Sequence, residues 1–201
     1  MFFIGVSGAS SSGKTTLSRK IMDLFGEEEC YVISQDNFYK NISPGTDTSD
    51  YNFDCPEAID FISLKSCINN MLQHKRVKIP QYDFSKHTAT YCKDINFKGK
   101  CLILEGIFSL LDDDIKDKMD LKIFVDTDLD ICLTRRLLRD VEKRGRTMMS
   151  VLNQYKKFVK PSYYKYIIFE KQQSDIIIPN GGENLIALNI INQYINSCIN
   201  R

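Results

Sequence analysis

The stretch "GASSSGKTT", Gly8 to Thr16, limits the possible folds more than any other part of this chain. It matches G-x-x-x-x-G-K-[ST]. It follows the apolar run "FFIGV" (2–6), which reads as a buried strand, and precedes a helical period marked by Leu17, Ile21, Leu24 and Phe25. Strand, glycine-rich loop and helix in that order is the context in which the motif has a mechanism. Glycines let backbone N–H groups converge on phosphate oxygens, and the helix that follows turns its positive end toward them. Gly8, Ala9, Ser10, Ser11, Ser12, Gly13, Lys14, Thr15 and Thr16 are therefore the candidate ATP-binding residues. Lys14 would reach the β- and γ-phosphates, and the Thr15 hydroxyl would ligate Mg²⁺. The loop implies a user of nucleoside triphosphates and leaves the phosphoryl acceptor open.

The rest of the chain repeats the same alternation. "YVIS" (31–34), "CLILEG" (101–106), "LKIFVDT" (121–127) and "DIIIP" (175–179) read as strands. Residues 57–73 show helical spacing through Phe61, Leu64, Ile68, Met71 and Leu72, with Pro56 where a helix can begin. From 128 a helix is expected with Leu129, Leu133, Leu137 and Val141 on one side, and a last helix carries Leu188, Ile191, Ile195 and Ile199. Near-continuous apolar strands separated by amphipathic helices predict an α/β fold with a doubly wound parallel sheet covered on both faces. Residues 37–56 and 76–99 interrupt the pattern and read as an inserted loop and a β-hairpin within a single domain spanning 1–201.

Composition narrows the class further. Of 201 residues, 43% are hydrophobic and 26% charged, and the net charge is +1. That balance suits a globular chain with a sizeable core and provides no global field for nucleic acid or an anionic membrane. Seven cysteines, odd in number and without a C-x-x-C pair, fit reduced thiols better than a disulfide frame or a zinc site. The N-terminus lacks a basic n-region, and no run approaches the ~18 apolar residues of a membrane span, so a cytoplasmic protein is expected.

On an open parallel sheet, ligands bind at the carboxyl ends of the strands. Asp36 follows the second strand in "SQDNFY", and Glu105 ends the strand "LILEG". An alcohol acceptor has a pKa far above neutral, so its attack benefits from a positioned base. Asp36 suits that role, with an Asx turn or helix cap as the structural alternative. Glu105 suits Mg²⁺, with a solvent-facing strand end as the alternative. "RRLLRDVEKRGR" (135–146) places Arg135, Arg136 and Arg139 on a helical face opposite the leucines, with Arg144 and Arg146 about a basic tip at Gly145. Such arginines either form a solvated face or close over a triphosphate as a lid. "IPQYDFSKH" (79–87) is either a packing hairpin or a wall for a flat ligand.

Together these stretches resemble the uridine kinase (uridine–cytidine kinase) family of P-loop kinases. "IGVSGASSSGKTT", "ISQDNFY", "YNFDCPEAID", "IPQYDFSKH", "LILEGI", "KIFVDTD", "RRLLRDVEKRGR", "NQYKKFVKP" and "DIIIPNGGENLIAL" occur in family order over nearly the whole chain. The resemblance implies phosphorylation of the 5′-hydroxyl of uridine or cytidine by ATP or GTP with Mg²⁺. It implies catalytic roles for Asp36, Lys14, Arg139 and Arg144, and Mg²⁺ held about Thr15, Asp36 and Glu105. It implies a nucleoside site formed by Tyr39, Phe53, Asp54, Tyr82, Phe84, His87, Arg136, Arg146 and Gln154, with Asp54 on the ribose. It further implies a homotetramer and feedback inhibition by CTP or UTP. Glu183 stands where the family usually has Asp near the adenine, Cys55 where a histidine is common, and the loop between Tyr39 and Tyr51 looks short. The rival readings are a nicotinamide riboside kinase, a phosphoribulokinase or other kinase of small alcohols, and a nucleotide-binding regulator without catalysis.

Overall fold

A computed structural model describes residues 1–43, 46 and 51–199, without the side chains of Thr90 and Tyr91. Five parallel strands form one sheet in the order β2-β5-β1-β6-β7: β1 (Phe2–Gly8), β2 (Cys30–Ser34), β5 (Cys101–Glu105), β6 (Leu121–Asp126) and β7 (Ile176–Pro179). β3 (Val77–Asp83) and β4 (Thr88–Ile95) form a separate antiparallel hairpin. The helices, in chain order, are α1 (Lys14–Phe25), α2 (Phe61–Leu72), α3 (Asp113–Lys116), α4 (Leu129–Arg144), α5 (Met148–Gln154), α6 (Lys160–Ser162), α7 (Ile168–Gln173) and α8 (Leu185–Ile199). No helix among the described residues is long and apolar enough to cross a membrane.

The two-residue period of the strands explains the two cores. Phe3, Leu102, Leu104 and Phe124 point to one face, where α2, the hairpin and Phe108 cover them. Ile4, Val6, Ile103, Ile123 and Val125 point to the other, against Leu17 and Ile21 of α1 and Leu188, Ile191 and Ile195 of α8. Crossover helices on both faces bury the sheet twice, which is why its strands are apolar at nearly every position.

Three element readings change. The helix expected from residue 57 starts at Phe61, because the Asp60 side chain accepts from Ser63 N and caps it, and Pro56 instead opens a short 3₁₀ turn, Pro56–Ala58. Leu24 is exposed and does not join the buried face of α1. On α4 the expected sides are reversed: Arg136 and Asp140 are buried, Leu133 and Leu137 are half-buried, and Val141 is exposed. This helix presents its charged face to a cleft, so burial follows ion pairing there. Between α5 and α7 the helix contains two π turns, Tyr155–Val159 and Tyr163–Ile167, which no sequence period announced. The expected short loop between Tyr39 and Tyr51 lies largely outside the described residues.

Candidate active site

The carboxyl ends of β1, β2 and β5 open into a cleft of about 1300 Å³. The phosphate loop forms its floor. Gly13 caps α1 from the left-handed region at φ 105°, and Gly8 sits at φ 144°, where a Cβ would lie 2.5 Å from the Val125 carbonyl oxygen. Only glycine meets both demands. Several donors hold the loop in shape: Lys14 Nζ donates to the Ala9 carbonyl at 2.7 Å, Thr127 Oγ1 to the Ser12 carbonyl at 2.9 Å, and Arg136 Nη1 to Ser10 Oγ at 2.9 Å. Burial pushes the Lys14 ammonium below its usual value, while Glu105 and Asp36 pull it back up. Gly181 and Gly182 pack against the loop and α1, and Lys20 Nζ donates to the Gly182 carbonyl at 2.7 Å. Glu183 next to them is exposed at the cleft.

Asp36 lies in the 3₁₀ turn after β2, Gln35–Phe38, and lines the cleft; its side chain does not cap that turn. Glu105 is 5% exposed, so the solvent-facing alternative falls. Burial, then the like charge of Asp36, raises the Glu105 carboxyl above its usual range, and hydrogen bonds from Ser34 (2.8 Å) and Thr15 oppose this. A divalent cation would relieve that repulsion. The donors here, Thr15, Asp36 and Glu105, are all hard oxygen ligands. Among the described residues no three His, Cys, Asp or Glu side chains cluster to enclose a metal. Two carboxylates and a hydroxyl are a donor set that suits Mg²⁺, which takes one or two carboxylates and completes its shell with phosphates and water.

The end of the cleft by the hairpin is aromatic. Tyr39 meets the rings of Phe53 (6.0 Å), Tyr82 (5.5 Å) and Phe84 (6.0 Å), and Phe53 stacks on His87 at 4.8 Å. "IPQYDFSKH" is thus both things at once, a hairpin tip that packs and a wall that faces a cavity. Tyr39, Phe53, Phe84 and His87 line the cleft, while Tyr82 does not and is packed among the other rings. Three buried polar atoms here have no hydrogen-bond partner among the described residues: Asp54 Oδ2, Tyr82 Oη and His87 Nδ1. Burial, then Arg146, holds the His87 imidazole below its usual pKa, which favours the neutral ring, a form that can both donate and accept. Burial raises the Asp54 carboxyl, opposed by Arg136, whose Nη1 lies 3.6 Å from Asp54 Oδ1.

A residue that sequence reading missed organises the arginines. Asp140 is fully buried. Its Oδ1 accepts from Arg139 Nε at 2.8 Å and lies 3.4 Å from Arg144 Nη1; its Oδ2 lies 3.6 Å from Arg136 Nε and 3.8 Å from Arg146 Nη1. Burial alone would raise this carboxyl, but the Arg139 hydrogen bond and the surrounding guanidinium charges hold it below the usual range. The available signal was spacing: Asp140 is four residues from both Arg136 and Arg144, so all three share a helix face. Gln154 Oε1 accepts from Arg136 Nη2 at 3.1 Å and Arg146 Nη1 at 2.5 Å, tying α4 to α5. The Arg144 guanidinium lies over the Phe84 ring at 4.2 Å, joining the basic tip to the aromatic wall. The cleft therefore combines a phosphate cradle, an oxygen-ligand pair, guanidinium groups and an aromatic pocket with unmet polar atoms.

Residues 3–187 match the model of the phosphoribulokinase / uridine kinase family. A uridine-cytidine kinase A from Dictyostelium discoideum is 45% identical over 192 residues, covering 96% of this chain and 38% of that protein. A uridine kinase from Deinococcus deserti is 38% identical over 200 residues, covering 98% of this chain and 97% of its own length. Against the first curated relatives the chain spans about two fifths of their length, 38% and 42%. Among solved structures, a phosphoribulokinase from Rhodobacter spheroides superposes with a TM-score of 0.63 at 17% identity, covering 89% of this chain and 69% of the other, a likeness of fold.

Proposed function

The chain belongs to the phosphoribulokinase / uridine kinase family, and on that premise we propose that it transfers the γ-phosphoryl group of ATP or GTP to the 5′-hydroxyl of uridine or cytidine. The observation that carries this reading is the aromatic end of the cleft, with the buried atoms Asp54 Oδ2 and His87 Nδ1 unpartnered among the described residues. An unmet buried polar atom costs about 1–3 kcal/mol, which a ligand of matching polarity recovers. A pyrimidine between Phe53 and Phe84 presents polar edge atoms to His87, with Tyr82 packed behind the wall. A ribose diol presents two hydroxyls to Asp54, whose carboxylate can accept both. A 2′-deoxynucleoside leaves one of those acceptors empty and is disfavoured.

In this reading Asp36 takes the proton of the 5′-hydroxyl as its oxygen bonds to the γ-phosphorus, the bond from that phosphorus to the β,γ-bridging oxygen breaks, and ADP or GDP leaves with the bridging oxygen. The phosphate loop and Lys14 hold the triphosphate, with Glu183 beside the nucleotide base. Arg139 and Arg144 neutralise charge that develops on the transferred group. Arg136, Arg146 and Gln154 fix the nucleoside side of the cleft. Thr15, Glu105 and Asp36 would hold Mg²⁺, which when bound neutralises phosphate charge. The four-arginine anchor at Asp140 holds the basic tip against Phe84, where it would help to exclude water from the transferred group.

A substrate panel tests the reading: ribonucleosides, 2′-deoxynucleosides and nicotinamide riboside, each with ATP or GTP and Mg²⁺. Uridine and cytidine should turn over, with kcat/KM at least about tenfold above their 2′-deoxy forms. Turnover of nicotinamide riboside without either pyrimidine nucleoside would overturn it.

A further inference from the structure

Glu170, on α7, is 1% exposed and lies against the carboxyl end of β1, on the face of the sheet opposite α1, and it takes no part in the phosphoryl transfer described above. Its Oε2 accepts from Ser7 Oγ at 2.5 Å and from Leu110 N at 3.1 Å. Ser7 immediately precedes the first glycine of the phosphate loop. Leu110 lies in the segment that leaves β5 just after Glu105. One carboxyl therefore bridges the two chain segments that carry the phosphate cradle and the candidate Mg²⁺ carboxylate. Its other oxygen, Oε1, is buried without a partner. A lone carboxylate oxygen in such surroundings is far more costly than a neutral one.

We propose that Glu170 is a positioning residue for the nucleotide site: a neutral carboxyl that clamps the end of β1 to the loop after β5, and whose ionisation sets a negative charge beneath the phosphate loop and loosens the nucleotide. The inference rests on the nucleotide-binding reading of that loop, not on the identity of the acceptor.

The surroundings agree. Burial raises the Glu170 carboxyl to about 8, against the hydrogen bonds from Ser7 and Leu110 and the charges of Lys14 and Lys116. Lys116 is already engaged by Asp113 at 2.5 Å and Gln173 at 3.0 Å. Across from α7, Asp126 of β6 is paired with Lys171 at 2.7 Å. The preceding helical turn contributes Tyr163, whose hydroxyl burial pushes up to about 12. β1 and residues 106–111 carry no ionisable side chain. Ionised Glu170 would thus compete with phosphate for Lys14, the one cation the cradle itself supplies.

The test is the pH dependence of ADP binding, measured by calorimetry with Mg²⁺ from pH 6.5 to 9 in the whole protein and three variants. The ligand's own ionisation is common to all four. For the unaltered protein the dissociation constant should rise about threefold or more between pH 7 and 9, with a midpoint near 8. Glu170→Gln keeps the size and both hydrogen-bonding functions and should lose that rise, whereas Glu170→Ala should weaken binding at every pH. Ser7→Ala removes a donor that favours the charged form, so its midpoint should move upward. A flat profile in the unaltered protein, an unchanged rise in Glu170→Gln, or a pH-independent weakening in Glu170→Gln would overturn the proposal. If Glu170→Gln fails to fold, an unmoved midpoint in Ser7→Ala overturns it instead. No ADP binding at any pH would sink the nucleotide-site reading, and this inference with it. Failure of uridine and cytidine to turn over while ADP binds leaves the pH test fully in force.

Discussion

A single carboxylate means different things at different positions in this cleft. Asp36, Asp54, Glu105, Asp140 and Glu170 all lie in or behind it, and their surroundings separate them. Asp54 and Glu105 are pushed up by burial, Asp140 is held down by guanidinium groups, and Glu170 is pushed up by burial to about 8. Asp36 faces the open cleft beside Lys14, where a substrate hydroxyl can reach it. Replacing Asp36 by Asn keeps its shape and removes its basicity. We expect kcat to fall at least about 100-fold while ADP affinity, by calorimetry, stays within about threefold. Near-normal turnover in Asp36→Asn would mean that another group accepts the proton. For Glu170 the linkage runs the other way from an ordinary salt-bridged acid. Its folded pKa of about 8 exceeds the usual 4.5, so the folded state holds its proton more tightly, and stability is lost as pH rises through that interval.

At the scale of elements, α4 departs most from ordinary amphipathic logic. Its buried positions are Cys132, Arg136 and Asp140, and its leucines are partly in solvent. Asp140 compensates the helix's basic end, where Gly145 adopts φ 64° and Arg146 N returns to the Asp140 carbonyl at 3.1 Å. Removing a buried charge from such a set leaves its partners unpaired, which typically costs about 3 kcal/mol or more. Asp140→Ala should therefore lower stability by roughly that amount in urea unfolding, and Asp140→Asn by less, since it keeps an acceptor for Arg139. Both should reduce kcat/KM for the nucleoside, because Arg139, Arg144 and Arg146 lose a common anchor. Full stability in Asp140→Ala would show that the arginines are held independently. The two π turns after α5 act at the same scale. Each holds an extra residue and turns the helix by about 100° relative to an unbroken 3.6 period, and with that altered phase α7 presents Glu170 to Ser7.

Across the whole molecule, one sheet supports both cores and the floor of the cleft. Ile103 and Leu104 are neighbours on β5 and are both fully buried, but they point into opposite cores. Ile103→Ala and Leu104→Ala should each cost about 2–5 kcal/mol. If the chain unfolds as one domain, each variant should shift a single urea transition without changing its slope. Two separable transitions, with one variant moving only one of them, would show that the faces unfold independently. The same sheet sets where chemistry can occur, since the phosphate loop, Asp36 and Glu105 all leave its strands at the same edge.

Short-range signals in the sequence determined much of this. The strand–loop–helix spacing of Gly8 to Thr16, the apolar runs of β1, β2, β5, β6 and β7, and the hairpin about "IPQYDFSKH" are local patterns, and local backbone chemistry makes them readable. The candidate Mg²⁺ ligands and the arginines were legible for the same reason, as residues that follow strands or crowd one helix. Only the tertiary structure decided which side of α4 is buried, because burial there depends on four arginines meeting one carboxylate. It alone joined Glu170 to Ser7 across 163 positions. Such pairings depend on helix phase and sheet register summed over many residues, and no window of sequence contains them.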